Sequence, residues 1–341
     1  MPWKKSDVFA LMVGHGKSLD GSWDPGCTYG KYTEAGLMLD IVKVAVKWLR
    51  KSGVNVITDA DDANNRNMKS SVAWANNRKA KIYISVHCDW SGSSAGIYPQ
   101  IKTTADKKMA DKIGKYVAEK MDMKYKGTAV RTDLYELNAP TAKACCVFET
   151  GSIKADLKKL KDYKAYGKAL AKGICKYLGV KFYVSNVTKF RKKLLFVFAE
   201  MKRLGFRYKN SGNAKTWAGA KKLKQSNCAT AICYALQEAG FLKKGQIFWC
   251  NDGKVKSNVK GTIAQLKKVA RIAHPKKKPS KTFLKVGDIC GYSPHTQEFD
   301  GWTKSGKPMW YSFGPSDVGK KMPRHKKSYD SKKIEVRIRL K

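Results

Sequence analysis

Val8-Phe9-Ala10-Leu11-Met12-Val13-Gly14-His15-Gly16 is an apolar run of strand length that stops at a histidine set between glycines. The pattern recurs at Lys81-Ile82-Tyr83-Ile84-Ser85-Val86-His87. It appears again at Cys145-Cys146-Val147-Phe148-Glu149-Thr150-Gly151, where the run ends on a glutamate. Strand-like runs at Val8–Val13, Val54–Ile57, Lys81–Val86 and Cys145–Phe148 alternate with helical stretches at Glu34–Lys51, Asn67–Asn77, Ala105–Lys120 and Asp156–Leu178. That alternation predicts an α/β N-terminal domain, a twisted sheet flanked by helices, over residues 1–182.

The carboxyl ends of parallel strands are where loops converge on a ligand, so residues that end separate strands can meet in space. His15, His87 and Glu149 end three such runs, and Glu34 opens the amphipathic stretch Glu34–Lys51. Two imidazoles and one carboxylate form a zinc set that leaves a coordination position open for water, and the fourth group is then available to move protons. A structural reading competes with this one. A histidine after a strand is commonly a hydrogen-bonded scaffold residue, and no short His-x-x-x-His spacing ties His15 to His87. Glu34 would be favoured in a helix's first turn by the dipole alone, and Glu149 could be a solvated strand-end carboxylate.

Gly14-His15-Gly16, Asp24-Pro25-Gly26, Glu34 at its helix start, Ile84-Ser85-Val86-His87 and Phe148-Glu149-Thr150-Gly151 stand in an order that resembles zinc-dependent N-acetylmuramoyl-L-alanine amidases of bacterial and phage cell-wall lysis. The resemblance covers roughly residues 6–180. It implies that His15, Glu34 and His87 are ligands of Zn2+, and that Glu149 orients the attacking water and stabilises the transition state. The pattern departs from the family at Lys17, where a second glycine is usual, and at Cys88-Asp89, where Ala-Asn is usual.

At 341 residues the chain has room for about two domains, each with its own core. There is no apolar run long enough for a transmembrane segment, and Met1-Pro2-Trp3-Lys4-Lys5-Ser6-Asp7 leads into a strand without a signal-peptide h-region. A wall hydrolase without such a signal is expected to be made in the host cytoplasm and to reach the wall through a holin lesion or by lysis. This favours a phage or prophage endolysin. The nine cysteines are odd in number and show no Cys-x-x-Cys pair, so reduced thiols are expected.

The net charge of +42 is unevenly placed: residues 189–341 hold 37 Lys+Arg against 9 Asp+Glu. Such a field draws polyanions. Nucleic acid is one candidate, and Pro275-Lys276-Lys277-Lys278-Pro279 would suit it. The chain has no helix-turn-helix, zinc-finger or aromatic RNA-binding signature, however, so no specific nucleic-acid partner is expected. The expected partners are the peptidoglycan of a Gram-positive wall and its anionic polymers such as teichoic acid.

The alternation breaks near Val180–Thr188, and a new helix is predicted over Lys189–Leu204. In the domain that follows, residues 190–341, Ser226-Asn227-Cys228 precedes a helix ending at Gly240. Cys228 therefore sits in the first turn, where dipole and free amides favour thiolate. Leu284-Lys285-Val286-Gly287-Asp288-Ile289-Cys290 reads as turn then strand, and His295-Thr296-Gln297-Glu298-Phe299-Asp300 as another strand. A helix-start Cys, a downstream strand His and a third polar group form a thiol-peptidase set, with Asp300 the first choice for the third member and Ser312 its rival. This order resembles the papain-like peptidoglycan peptidases of the NlpC and CHAP types, which implies an α+β papain-like C-terminal domain. In the alternative reading Cys228 is an inert buried thiol and the domain only binds wall.

Overall fold

Strand β1 (Val8–Val13) is buried at every position but its first, as a strand covered on both faces must be. It lies parallel to β2 (Asn55–Ile57) on one side and β3 (Ile82–Asp89) on the other. Two short strands, β4 (Gln100–Ile101) and β5 (Ala129–Val130), form the far edge, and β6 (Ala144–Ser152) lies between β3 and β4. The order is β2-β1-β3-β6-β4-β5. The sheet is mixed, because β6 is parallel to β3 and antiparallel to β4. Residues 3–61, 67–90, 95–292, 295–314, 325–326 and 333–341 are described by this computed structural model. They fall into two units, Met1–Tyr183 and Val184–Lys341.

In the first unit the pleat divides the core in two. Phe9, Leu11 and Val13 face α1 (Glu34–Lys51), α3 (Thr104–Met121) and α5 (Tyr163–Leu178), while Ala10 and Met12 face α2 (Met68–Asn77) and α4 (Tyr135–Asn138). Helix α1 starts where Thr33 accepts the N–H of Gly36, and it buries Met38, Ile41, Val42, Ala45 and Leu49 at helical spacing. The helix expected over Asp156–Leu178 is interrupted. A short turn, Leu157–Leu160, precedes α5, whose N-cap Asp162 accepts the N–H of Ala165 and restarts the helix. Helices α1 and α5 approach closely at Gly167, where a methyl group would stand 2.5 Å from the Ile41 carbonyl oxygen.

The second unit packs α6 (Asn186–Arg203) and α7 (Cys228–Glu238) on an antiparallel sheet. Its strands are β7 (Ala270–Ala273), β8 (Ile289–Tyr292), β9 (His295–Trp302), β10 (Pro308–Tyr311), β11 (His325–Lys326) and β12 (Val336–Leu340), in the order β7-β12-β8-β9-β10-β11. Phe190, Leu194 and Phe198 of α6 meet Ile232 and Leu236 of α7 and Ile289 and Ile338 of the sheet, so this unit has a core of its own. Among the described residues no helix is long and apolar enough to cross a membrane.

Candidate metal centre and active site

His15 follows β1 with φ 63°, a left-handed conformation that is uncommon for a residue with a side chain and recurs at functional sites. Glu34 is the first residue of α1 and is buried, and His87 lies on β3. The Glu34 carboxylate sits between the two rings, with Oε1 3.0 Å from His87 Nδ1 and Oε2 3.4 Å from His15 Nε2. One donor atom from each residue lies within 4.8 Å of the other two. The outer nitrogens are held as well: Asp24 Oδ2 is 2.8 Å from His15 Nδ1, and Ser85 Oγ is 2.9 Å from His87 Nε2. Metal-binding histidines characteristically have the second nitrogen fixed in this way, so the donor set fits a tetrahedral ion with one open position. Glycine makes the close approach possible: a methyl group on Gly26 (φ 64°) would stand 2.6 Å from Glu34 Oε2, and one on Gly14 would enter the His87 ring.

Charge in the cluster is strongly biased. Burial raises the pKa of Glu34, but hydrogen bonds and charge from His87, the charge of His15 and the N–H of Cys88 outweigh it and hold the carboxyl at about 2. His87 shifts the other way. Burial lowers it, and the carboxylates of Glu136 and Glu34 more than restore it, so a proton stays on the ring well above the usual range. An incoming cation would displace that proton. Glu149, in register with His87 on the neighbouring strand, is raised to about 7, first by burial and then by the charges of Glu34, Asp89 and Glu136, against a lowering by His87. Its Oε1 accepts a hydrogen bond from Gln100 Nε2 at 3.3 Å, while Oε2 is buried with no hydrogen-bond partner among the described residues. A cavity of about 570 Å³ opens over His15, His87, Asp24 and Glu136.

Residues 10–179 match the family model of the N-acetylmuramoyl-L-alanine amidases. This segment is an N-acetylmuramoyl-L-alanine amidase domain. Among solved structures, the chain is similar to the catalytic domain of the amidase CwlV from Bacillus (Paenibacillus) polymyxa var. colistinus, at 24% identity over 51% of this chain and 99% of that one, with a TM-score of 0.46. It is also similar to the amidase AmiC2 of Nostoc punctiforme, at 21% identity over 51% and 98%, TM-score 0.46. Ami1 from Mycobacterium smegmatis aligns at 19% identity over 51% and 97%, TM-score 0.42. No protein of curated function matches the sequence.

All four residues singled out in the sequence of the amidase domain therefore meet at the carboxyl edge of its sheet. Two groups that support them carry no such sequence signal. Glu136 of α4 approaches His87 Nε2 at 3.4 Å and accepts from the Tyr83 hydroxyl at 3.2 Å, yet it lies in a four-residue helix with no periodicity to mark it. Cys27 and Cys88 donate their backbone N–H groups to Glu34 Oε2 and Oε1 at 3.1 and 3.0 Å, and their sulfurs with Glu34 form a second possible ligand group.

In the second unit Cys228 begins α7, after Asn227 caps the helix through the N–H of Thr230. The Thr296 backbone, the helix-start amides and the Tyr208 side chain lie where they favour the Cys228 thiolate. The start of α7 therefore meets the start of β9, next to His295. The expectation of a stabilised thiolate does not hold in this conformation: burial outweighs those groups and pushes the Cys228 thiol up. Nor does Asp300 reach His295. It lies five residues further along the same strand, roughly 16 Å away at strand rise, and its carboxylate pairs with Arg191 of α6. Ser312, just beyond β10, is buried. Cys228 lines a pocket of about 490 Å³ with Tyr208, Asn227, Trp249 and Asn258.

Proposed function

We propose that the chain is a zinc-dependent peptidoglycan amidase that hydrolyses the bond between N-acetylmuramic acid and L-alanine. The observation that carries this reading is the Glu34 carboxylate set between His87 Nδ1 and His15 Nε2, with the outer nitrogen of each ring fixed by Asp24 or Ser85. His15, Glu34 and His87 would hold the ion. Zinc bound there supplies an acidified water and polarises the scissile carbonyl. Glu149 has the geometry and burial of a base: a carboxyl raised to about 7 accepts a proton from water more readily than an ordinary carboxylate would, and the acid so formed can pass it to the departing amine. Its Oε2, without a partner among the described residues, leaves an acceptor for that proton. The test is zinc stoichiometry together with mass spectrometry of digested wall. The reading predicts one zinc per chain and new L-alanine amino termini, both lost in His87→Ala.

A second reading, for Val184–Lys341, is a thiol peptidase acting on wall peptides, with Cys228 as nucleophile and His295 as base. It is favoured by the meeting of the α7 and β9 starts beside a pocket that Cys228 lines. The excess of Lys and Arg in residues 189–341 supports adherence to an anionic Gram-positive wall rich in teichoic acid, whether or not the thiol is active. A phage endolysin made in a cytoplasm and released at lysis fits both readings. If the unit only anchors the amidase, wall digested by Glu149→Gln will carry no new peptide termini.

A further inference from the structure

Of the nine cysteines eight are buried, and only Cys27 is partly exposed. Its sulfur lies 3.9 Å from that of Cys88 and hydrogen-bonds the Cys88 carbonyl oxygen at 3.2 Å. The two residues are 61 apart in sequence and flank the same carboxylate, each giving its N–H to one oxygen of Glu34. Cys27 belongs to the segment that enters α1, whereas Cys88 follows His87 on β3. We propose that Cys27 and Cys88 form a disulfide that staples the Glu34 segment to the His87 strand and so closes the metal cradle in an oxidising environment. The oxidant is a low-molecular-weight disulfide, RSSR. Cys27, the partly exposed thiol, gives up its proton as it attacks one sulfur and expels RS⁻, and the Cys88 thiol then displaces the second RS⁻ from the mixed disulfide. Two electrons pass to RSSR, and the two thiol protons end on two RSH. The sulfurs need to close from 3.9 Å to about 2.05 Å. A reducing cytoplasm keeps the staple open, and the wall side of the membrane closes it. Because two ligand-bearing segments can then no longer part, a bound ion leaves more slowly.

This inference rests on the zinc reading for its consequence but not for the bond, and the test separates the two. Metal-free chain is treated with oxidised glutathione and digested without reduction, and the peptides are mapped. Reduced and oxidised zinc-loaded chain are then mixed with a chelating dye and zinc release is timed. The expected results are a Cys27–Cys88 peptide as the main product and release at least severalfold slower after oxidation. Cys27→Ser should show equal release with and without oxidant, and Cys88→Ser should retain glutathione on Cys27. If Cys27→Ser does not fold, Cys27→Ala takes its place. Glutathione left on Cys27 of the unaltered chain overturns the proposal, as does a cross-linked chain that loses zinc at the same rate or faster. A chain that binds no zinc in either state overturns the zinc reading, and the peptide map then still decides the bond.

Discussion

At residue scale the site is built from conflicting demands on neighbouring groups. Glu34 is held ionised by two imidazoles and two backbone amides, while Glu149, one strand away, is pushed toward neutrality by burial and by the carboxylates around it. Glu149→Gln should keep zinc stoichiometry and lower the turnover of wall by about a hundredfold or more, since an amide cannot accept the proton. The same change has a signature in the metal-free chain. A carboxyl at about 7, against an ordinary 4.5, favours the folded state fully below pH 4.5, and that contribution is lost as pH rises through 7. Thermal melts of metal-free wild type should therefore lose stability between pH 4.5 and 7 relative to Glu149→Gln. Parallel profiles for the two proteins would contradict the environment described for Glu149. Gly26→Ala should weaken zinc binding at least tenfold without unfolding the domain, because the methyl group displaces Glu34 and His15, and titration calorimetry reads that loss directly.

At the scale of elements, much of the amidase domain was legible because period and length agree. Glu34–Lys51 is a helix over the residues its apolar spacing marks, and Val8–Val13 is a strand over its apolar run. The edge strands at Gln100–Ile101 and Ala129–Val130 were not legible, since two-residue strands carry no periodicity and exist only through pairing. The break at Asp162 was hidden for a different reason: the apolar spacing runs on through it, and only the side-chain cap ends the previous turn. In the site, strand-end histidines announce themselves, whereas Glu136 and the thiols beside Glu34 are brought in by tertiary packing alone. Asp300 misled because a carboxylate on the histidine's strand looks near in sequence, yet the extended chain carries it away. The α1–α5 contact gives a prediction at this scale. Replacing Gly167 by Ala gains up to about 1 kcal/mol in helix propensity, but it drives a methyl group onto a backbone oxygen that cannot move aside, and overpacking costs typically 1–3 kcal/mol. The clash wins, so calorimetry should show the melting temperature of the first unit lowered by a few degrees. An unchanged or raised value would mean the helices part without cost.

For the whole molecule, two units have separate cores, so the proposed attachment and chemistry can be tested one at a time. A chain at +42 should bind purified wall through screened electrostatics, so adsorption of the Glu149→Gln protein should fall steeply as salt rises from about 0.05 to about 0.5 M. Binding insensitive to salt would point to carbohydrate recognition instead. If the second unit is a peptidase, iodoacetamide should label Cys228, which lines a pocket, ahead of Cys233, Cys250 and Cys290, and uniform labelling would leave the unit as an anchor. The central claim, that His15, Glu34 and His87 hold a zinc ion which the amidase reaction requires, has a direct measurement. Purified peptidoglycan is digested with metal-free, zinc-restored and His87→Ala protein, and the products are identified by mass spectrometry. New L-alanine amino termini and peptide-free muramic acid are expected only with the zinc-restored chain, whereas the same termini released at full rate by the metal-free or His87→Ala protein would contradict a zinc-dependent reaction.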